Sequence, residues 1–427
     1  MAFSEGDALV KVDGLQRTVP AEETLRQAEQ PARALGVTRL ADITGLDRVG
    51  IPTYCAIVPR SEDGISVYTG KGIRPVDAKV GALMEAIERQ TALHARPATL
   101  QGSYDCLRNE YQVLDPVTLA EPVSHEYSEH SEYSWVWGRD LVSNEPVLVP
   151  ASFAMYTWAV DPCRPCFELS TSSGLASGNC REEAICHALC ELIERDAWTL
   201  AELGAHYLPG ARHKLLGNEA SVSTQDDFEF LTSLDVLGEP GVELFREAGM
   251  FPLFHDITSD LGIPTIFAAV ADETISGFPM VHCGVGTHPN AHVALTRSLT
   301  EMAQSRCVDI QGVREDLLPP GSPESKFALH TRRVSAVNRN MWCLRESAVS
   351  KSIHELPSFQ STDLRSDLEH IVARLAACGL RQVIVVDFRS EHSHFAVVRV
   401  IVPGLESWVT DRGRVGSRAL SFWKRNV

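Results

Sequence analysis

Apolar residues along this chain recur in two rhythms that alternate almost to its end. The β-branched runs TYCAIV (53–58), TIFAAVA (265–271), QVIVVDF (382–388) and HFAVVRVIV (394–402) are bounded by Pro, Gly or charge, and they predict strands. Between them lie segments of helical spacing. Val80, Leu83, Ile87 and Thr91 fall on one helical face, as do Ile185, Leu189 and Leu192, and again Leu295, Leu299 and Met302. Such mixing predicts an α/β (α+β) fold, one large domain of mixed sheets with packed helices, and not a bundle or a sandwich. Residues 1–37 read as an N-terminal helical extension, in which PAEETLRQAEQPARALG is interrupted by Pro31 and closed by Gly36. The main domain is expected over 38–412, with a C-terminal tail at 413–427 and an exposed loop at DLLPPGSPESK (316–326).

Polar residues beside the three apolar stripes repeat a pattern. ALMEAIERQTA (82–92), ALCELIERDAW (188–198) and SLTEMAQSRCV (298–308) each set an acid one turn from another polar group. A single ExxER reads as a solvated face whose ion pairs contribute a few tenths of a kcal/mol. Three of them, on helices that are apolar elsewhere, read differently. Partly buried like charges repel or protonate unless something positive sits between them. Oxygen-only donors suit magnesium or calcium better than zinc, and magnesium completes its shell with water and phosphate. The segments leading in agree. VYTGKGIRPVDA holds Gly70, Lys71, Gly72 and Arg74, and LSTSSGLASGNCREEA holds Gly174, Gly178 and Asn179. Glycine permits close backbone approach, hydroxyl and amide groups donate to phosphate or sugar oxygens, and Lys71 can neutralise a phosphate. Neither segment is a Walker A loop, and no GxGxxG opens a helix. The combination predicts a magnesium–nucleotide site.

Composition narrows the alternatives. The 427 residues are 44% hydrophobic and 22% charged, as in ordinary globular chains. A formal net charge of -17 excludes a general nucleic-acid binder working through a basic surface, but not an anion held by a few arginines or by divalent cations. The longest apolar run, VLVPASFAMYTWAV (147–160), falls short of the ~18 residues a membrane span needs. MAFSEGDALVKVDGLQ lacks the basic start and apolar run of a signal peptide, so the cytoplasm is expected. The eleven cysteines are scattered, as befits small buried hydrophobes in a reducing compartment. Cys163 and Cys166 form a CxxC without a second CxxC or His pair, and a loop coincidence is favoured there over a metal or redox site. The helical spacing of Cys180, Cys186 and Cys190 suits packing better than sulfur relay.

YTGKGIRPVDAKVGALMEAIER, STSSGLASGNCREEAICHALCELIERD and ALTRSLTEMAQSR resemble the three nucleotide-site motifs of YcaO-domain proteins. RLADITGLDRVGIPTYCAIVPRS, DITSDLGIPTIFAAVA and VVRVIVPGLE fit in the same order, so the resemblance spans roughly residues 38 to 410. It implies an ATP-binding fold distinct from kinases and P-loop enzymes. It also implies a reaction in which a nucleophile attacks a backbone amide carbon and ATP phosphorylates the amide oxygen, which then leaves as phosphate. A Cys, Ser or Thr side chain would give an azoline, external sulfide a thioamide, and an amine an amidine. Carried onto this chain, the resemblance makes Glu85, Glu88, Glu191, Glu194 and Glu301 magnesium ligands. It makes Lys71, Ser172, Asn179, Arg195, Gln304 and Arg306 nucleotide contacts. Ser173 stands where the family often has Asn. His187 lies on the metal-side face, where packing is weighed above a role as general base, and no catalytic residue is assigned.

Azoline-forming members typically end in a proline-rich tail and carry or recruit a leader-peptide-binding domain. This chain ends RALSFWKRNV, and its first 37 residues are too short for a winged-helix clamp. GLDRVGIP and RVIVPGLE look most like members that work beside a TfuA protein in thioamide formation. The resemblance therefore implies thioamidation of a ribosomal peptide or protein from an external sulfur donor, with a TfuA-like partner and a homodimeric assembly. Azoline or macroamidine formation is the alternative, as is an ATP-binding accessory protein that activates no amide itself.

Overall fold

The computed structural model describes residues 9–12, 17–63, 65–119, 127–156, 171–207, 232–236, 238–273, 279–312, 342–345, 347, 349–408 and 415–426. The CxxC of Cys163 and Cys166 and the loop at 316–326 lie outside the described residues. All four predicted strand runs are strands, and all three motif segments are long helices. Among the described residues no helix is long and apolar enough to cross a membrane.

Helix α1 (Ala21–Ala34) opens the fold. Pro31 does not interrupt it: the ring removes a single bond near the C-terminus and is buried with Ala28 and Ala32. Gly36, at φ 100°, turns the chain out, and the N–H of Val37 bonds back to the carbonyl of Ala32. Strands β1 (Arg39–Asp42), β2 (Thr53–Ile57) and β3 (Val67–Lys71) then form a three-stranded antiparallel sheet, followed by α2 (Pro75–His94). Ala28 and Ala32 of α1 pack on Ala82, Leu83, Ala86 and Ile87 of α2, so the N-terminal helix is docked on the first motif helix.

Strands β4 (Thr99–Ser103), β5 (Glu132–Asp140), β6 (Pro146–Pro150) and β7 (Leu175–Gly178) belong to a six-stranded sheet, with the short helices α3 (Tyr104–Leu107) and α4 (Ala151–Ala154) between them. Helix α5 (Arg181–Glu202) follows β7 directly. A five-stranded sheet comes next: β8 (Thr232–Asp235), α6 (Pro240–Glu247), β9 (Leu253–Asp256), β10 (Thr265–Glu273), β11 (Pro279–Thr287), helix α7 (Ala291–Gly312) and β12 (Ser350–Ser352). After α8 (Leu364–Ala377), the hairpin β13 (Ile384–Ser390) and β14 (Ser393–Ile401) returns to the six-stranded sheet, between β5 and β7. Helix α9 (Ser417–Asn426) closes the chain. The order of that sheet is β4-β5-β13-β14-β7, with β6 paired to β5 off that path, so its last strand in space is not its last in sequence.

Each sheet has its own apolar filling. Trp135 and Leu148 are fully buried on one face of the six-stranded sheet, and α5 packs with α8 over the other. Burying one such large side chain contributes about 1.5–3 kcal/mol. Cys186 and Cys190 lie in that second cluster, in keeping with the packing reading. The arrangement also sets up the site, because β3, β7 and β11 are each the free edge of a different sheet, and each leads through a short turn into one of the three motif helices.

Candidate functional site

An edge strand carries backbone N–H and C=O groups that no neighbouring strand satisfies. Here the motif side chains satisfy them. Glu85 on α2 accepts from the N–H of Thr69 on β3 at 3.0 Å, and Gln304 on α7 donates to the carbonyl of the same residue at 3.0 Å. Glu191 on α5 accepts from the N–H of Gly174, just before β7, at 3.2 Å. Glu88 reaches across to the N–H of Ser177 on β7, and Glu301 accepts from Val285 on β11. The helices can come this close because their own strands carry glycine at the crossing. A Cβ on Gly70 would stand 2.0 Å from the Ala78 carbonyl oxygen, and one on Gly284 would stand 2.2 Å from the Ser298 carbonyl oxygen.

The three units enclose a cavity of about 710 Å³. Glu85, Glu88, Glu191, Glu194, Glu301, Lys71, Ser172, Asn179, Arg195 and Gln304 all line it. Arg306 is not brought there. Its guanidinium is 2% exposed, gripping Asp47 through two bonds of 2.9 and 3.0 Å and Asp272 at 3.1 Å. Arg306 is three residues beyond the inward-facing Ala303 on α7, on the face away from the cavity, and it anchors the GLDRVG turn. Ser173 is buried, its carbonyl taken by Arg399, while Ser172 stays on the cavity wall. Arg74 is spent on Asp77 at the start of α2.

Sequence reasoning missed part of the lining. Arg17 and Thr24 come from the N-terminal segment, which carries no motif, and Glu183 stands one turn before His187 on α5; Arg297, which helical spacing already sets on one face with Glu301 and Gln304, lines the cavity too. Thr24 donates to Oδ1 of Asn179 at 3.0 Å, and Asn179 donates through its backbone N–H and Nδ2 to Glu183 at 2.7 and 2.8 Å. Asn179 is thus held in one orientation at the rim. Glu191 and Glu194, a turn apart on α5, were legible; the contribution of Thr24, 155 residues from Asn179 in sequence, was not.

The carboxylates are short of positive charge. Burial, and then the neighbouring Glu85 and Glu191, push Glu88 up to about 8 against the pull of Arg89. Burial and the charge of Glu301 push Glu194 up to about 8. Burial raises Glu85 as well. Glu301 goes the other way: burial opposes ionisation, but its ion pair with Lys71 outweighs it. Arg195 lies 3.5 Å from Glu191, and Arg89 lies 3.9 and 3.7 Å from Glu85 and Glu88. His187 is open to the cavity but deep in the protein, and loss of solvation together with Arg297, Lys71 and Arg17 pushes its imidazole down to about 3. One wall is therefore acidic and another cationic with a neutral imidazole between.

Among the described residues no three His, Cys, Asp or Glu side chains gather closely enough to cage an ion unaided. The donor set nonetheless fits magnesium. It is all oxygen, and burial with neighbouring carboxylates pushes two of its acids up to about 8, a cost of ionisation that a bound cation would relieve. Magnesium asks a protein for only one or two carboxylates when phosphate and water supply the rest.

Comparison with known proteins agrees with this geometry. The family model for YcaO cyclodehydratase, ATP- and Mg2+-binding, matches residues 69–406. An uncharacterized protein of Methanothermobacter thermautotrophicus is 37% identical over 410 residues, covering 95% of this chain and 99% of that one. An uncharacterized protein in the tfuA 3′ region of Rhizobium leguminosarum bv. trifolii is 30% identical, covering 95% of this chain and 92% of that one. The structure of YcaO from Methanopyrus kandleri bound with AMPPCP and Mg2+ superposes with a TM-score of 0.70 at 27% identity, covering 96% of this chain and 97% of that one.

Proposed function

The chain belongs to the YcaO family, and on that premise we propose that it binds magnesium–ATP in the cavity between α2, α5 and α7 and activates a peptide backbone amide, forming a thioamide. The observation that carries the reading is the meeting, in one cavity, of five carboxylates from three helices with Lys71, Asn179, Arg195 and Gln304. Bound magnesium and ATP would supply charge neutralisation and a transferable phosphoryl group, which turns an amide oxygen into a leaving group. Glu85, Glu88, Glu191, Glu194 and Glu301 are the oxygen donors for the metal. Lys71, now paired with Glu301, lines the cavity with Arg17 and Arg297, and these cations would hold phosphate oxygens. Arg195 and Gln304 sit among the metal donors and hold their geometry. His187, kept neutral first by burial and then by Arg297, Lys71 and Arg17, adds no charge to that wall and is too weak a base at about 3 to be assigned the proton transfer.

The relative named for a tfuA 3′ region supports thioamide formation in place of azoline or amidine formation, and on the same ground we propose a TfuA-like partner that brings sulfur. A peptide or protein supplies the amide. Titration calorimetry of ATP, with and without magnesium, into wild type and Glu191→Ala tests the site. We expect magnesium-dependent binding in the wild type and loss of it in a folded Glu191→Ala. No magnesium-dependent binding in the wild type, alone or with a TfuA-like protein, sinks the reading. Phosphate release that depends on an added amide separates an enzyme from an accessory protein. The product mass then separates oxygen-to-sulfur exchange from the loss of water that marks an azoline.

A further inference from the structure

Cys283 lies on β11, two residues from Val285, and both line the cavity. Residues two apart on a strand share a face, so Cys283 stands beside the residue whose N–H holds Glu301. Its Sγ is 3.8 Å from the Sγ of Cys343. The two thiols are unequal. Cys283 is half-buried and opens on the cavity, whereas Cys343 is 0% exposed, enclosed with Phe267 and Trp342. A reagent entering the cavity meets Cys283, and Cys343 can be reached through Cys283. Packing accounts for the thiol pair Cys186 and Cys190, both buried between α5 and α8. The pair of Cys283 and Cys343 differs in that one of its thiols opens on the cavity. Bond formation between the two needs an approach of about 2 Å, to the usual S–S length near 2.05 Å.

We propose that Cys283 and Cys343 form a sulfane-sulfur site, in which Cys283 takes up a terminal sulfur as a persulfide and Cys343 releases it by closing a disulfide. The use of that sulfur rests on the thioamide reading. The thiolate of Cys283 attacks the outer sulfur of a low-molecular-weight persulfide, forming Cys283–S–SH and expelling the donor's thiolate. The terminal sulfur then attacks the amide carbon. The amide oxygen, taking the terminal phosphoryl group of ATP, leaves as phosphate and ADP remains. The peptide carbon is now joined to Cys283 through two sulfurs, and the amide nitrogen has lost its proton. Cys343 attacks Sγ of Cys283, the bond to the outer sulfur breaks, and the electron pair departs with that sulfur. The proton of the Cys343 thiol ends on the peptide nitrogen, completing the thioamide. One sulfane sulfur is reduced to the sulfide level and two thiols are oxidised to a disulfide, which a dithiol reductant resets. Burial, with the contact to Cys283, pushes the Cys343 thiol well above its ordinary range, so it keeps its proton until that step. Its fixed proximity to Cys283 compensates for a weak thiolate population.

The test uses the full chain, reduced, desalted and treated with glutathione persulfide, followed by alkylation and peptide mass spectrometry. In wild type we expect a Cys283–Cys343 disulfide with release of one sulfide per chain. Cys343→Ser should instead hold one extra sulfur on Cys283, and Cys283→Ser should lose both products. A wild type that remains a dithiol overturns the site, as does a Cys283→Ser variant that releases as much sulfide as wild type. The wild-type mapping decides the matter even if Cys343→Ser fails to fold. Magnesium–ATP titration of the same samples is read separately: its failure sinks the nucleotide reading, while the sulfur mapping alone judges the cysteine pair.

Discussion

Arg306 is the residue at which motif and geometry part. As the last position of ExxQxR it is implied to touch nucleotide, yet its partners are Asp47 and Asp272 and the pair with Asp47 is buried. Removing one member of a buried pair leaves an uncompensated charge and costs about 3–5 kcal/mol. Arg306→Leu is therefore expected to lower the urea midpoint strongly while leaving magnesium–ATP affinity per folded molecule unchanged; equal loss of affinity in the folded fraction would return Arg306 to the site. His282, near Arg306 and 4% exposed, gives a pH prediction. Burial first, then Arg306, push its folded-state value down to about 4 from 6.5, against the pull of Asp309, Asp272 and Asp47. The unfolded chain thus binds the extra proton between those values. The contribution is fully present above pH 6.5 and is lost as pH falls from 6.5 through 4, on the order of 3 kcal/mol. Chemical denaturation at pH 7.5 and pH 5 should show the loss in wild type and a smaller one in His282→Gln. Ten of the residues singled out from sequence line the cavity: seven because a helical period fixes which side chains share a face, and Lys71, Ser172 and Asn179 because they stand on or beside the strands that lead into those helices. Arg306 fell outside because a position five residues beyond Glu301 turns to another face, and only its neighbours reveal that.

At the scale of elements, the unit that recurs is an edge strand, a short turn and a long helix that bends back over its own strand. Its carboxylates cap the free edge on one side and face the cavity on the other. Close strand–helix approach is a condition for this. With backbone atoms of Ala78 and Ala82 2.0 and 2.1 Å from any Cβ at position 70, Gly70→Ala has nothing flexible to displace. We expect at least about 3 kcal/mol of destabilisation, with α2 pushed off β3 and the Thr69–Glu85 bond broken; thermal melting and amide exchange at Thr69 would report it. A variant that melts like wild type would mean that the helix is not seated as described. The helices themselves were legible from period, and their strands from β-branched runs. That β3, β7 and β11 are edges was not, because an edge is defined by the absence of a neighbour that sequence does not name.

At the scale of the molecule, the chain's two ends brace the motif helices. Arg17 and Thr24 reach the cavity from the N-terminal segment, and Lys11 pairs with the buried Asp367 of α8. At the other end, Arg418 of α9 binds Asp196 at 2.9 and 2.8 Å, and Glu406 accepts from the N–H groups of Gly416 and Ala419. Asp196 is 0% exposed and follows Arg195 directly on α5. Deleting residues 417–427 should take away that carboxylate's ion pair, leaving it only the N–H of Glu406, and uncover Leu200 and Trp408, which pack with Ala419. The expected result is a melting temperature lower by several degrees together with weaker magnesium–ATP binding; binding unchanged in a truncated chain would separate α9 from the site. The amino-acid sequence by itself determined the helices, the strands, the acids that belong together and the family, because these depend on spacing along the chain. Tertiary structure decided that the acids close three sheet edges, that the remote Arg17 joins them, that Arg306 leaves them, and that Cys283 meets Cys343. Each of those depends on which segments pack side by side, and packing is settled by the burial of surfaces hundreds of residues apart.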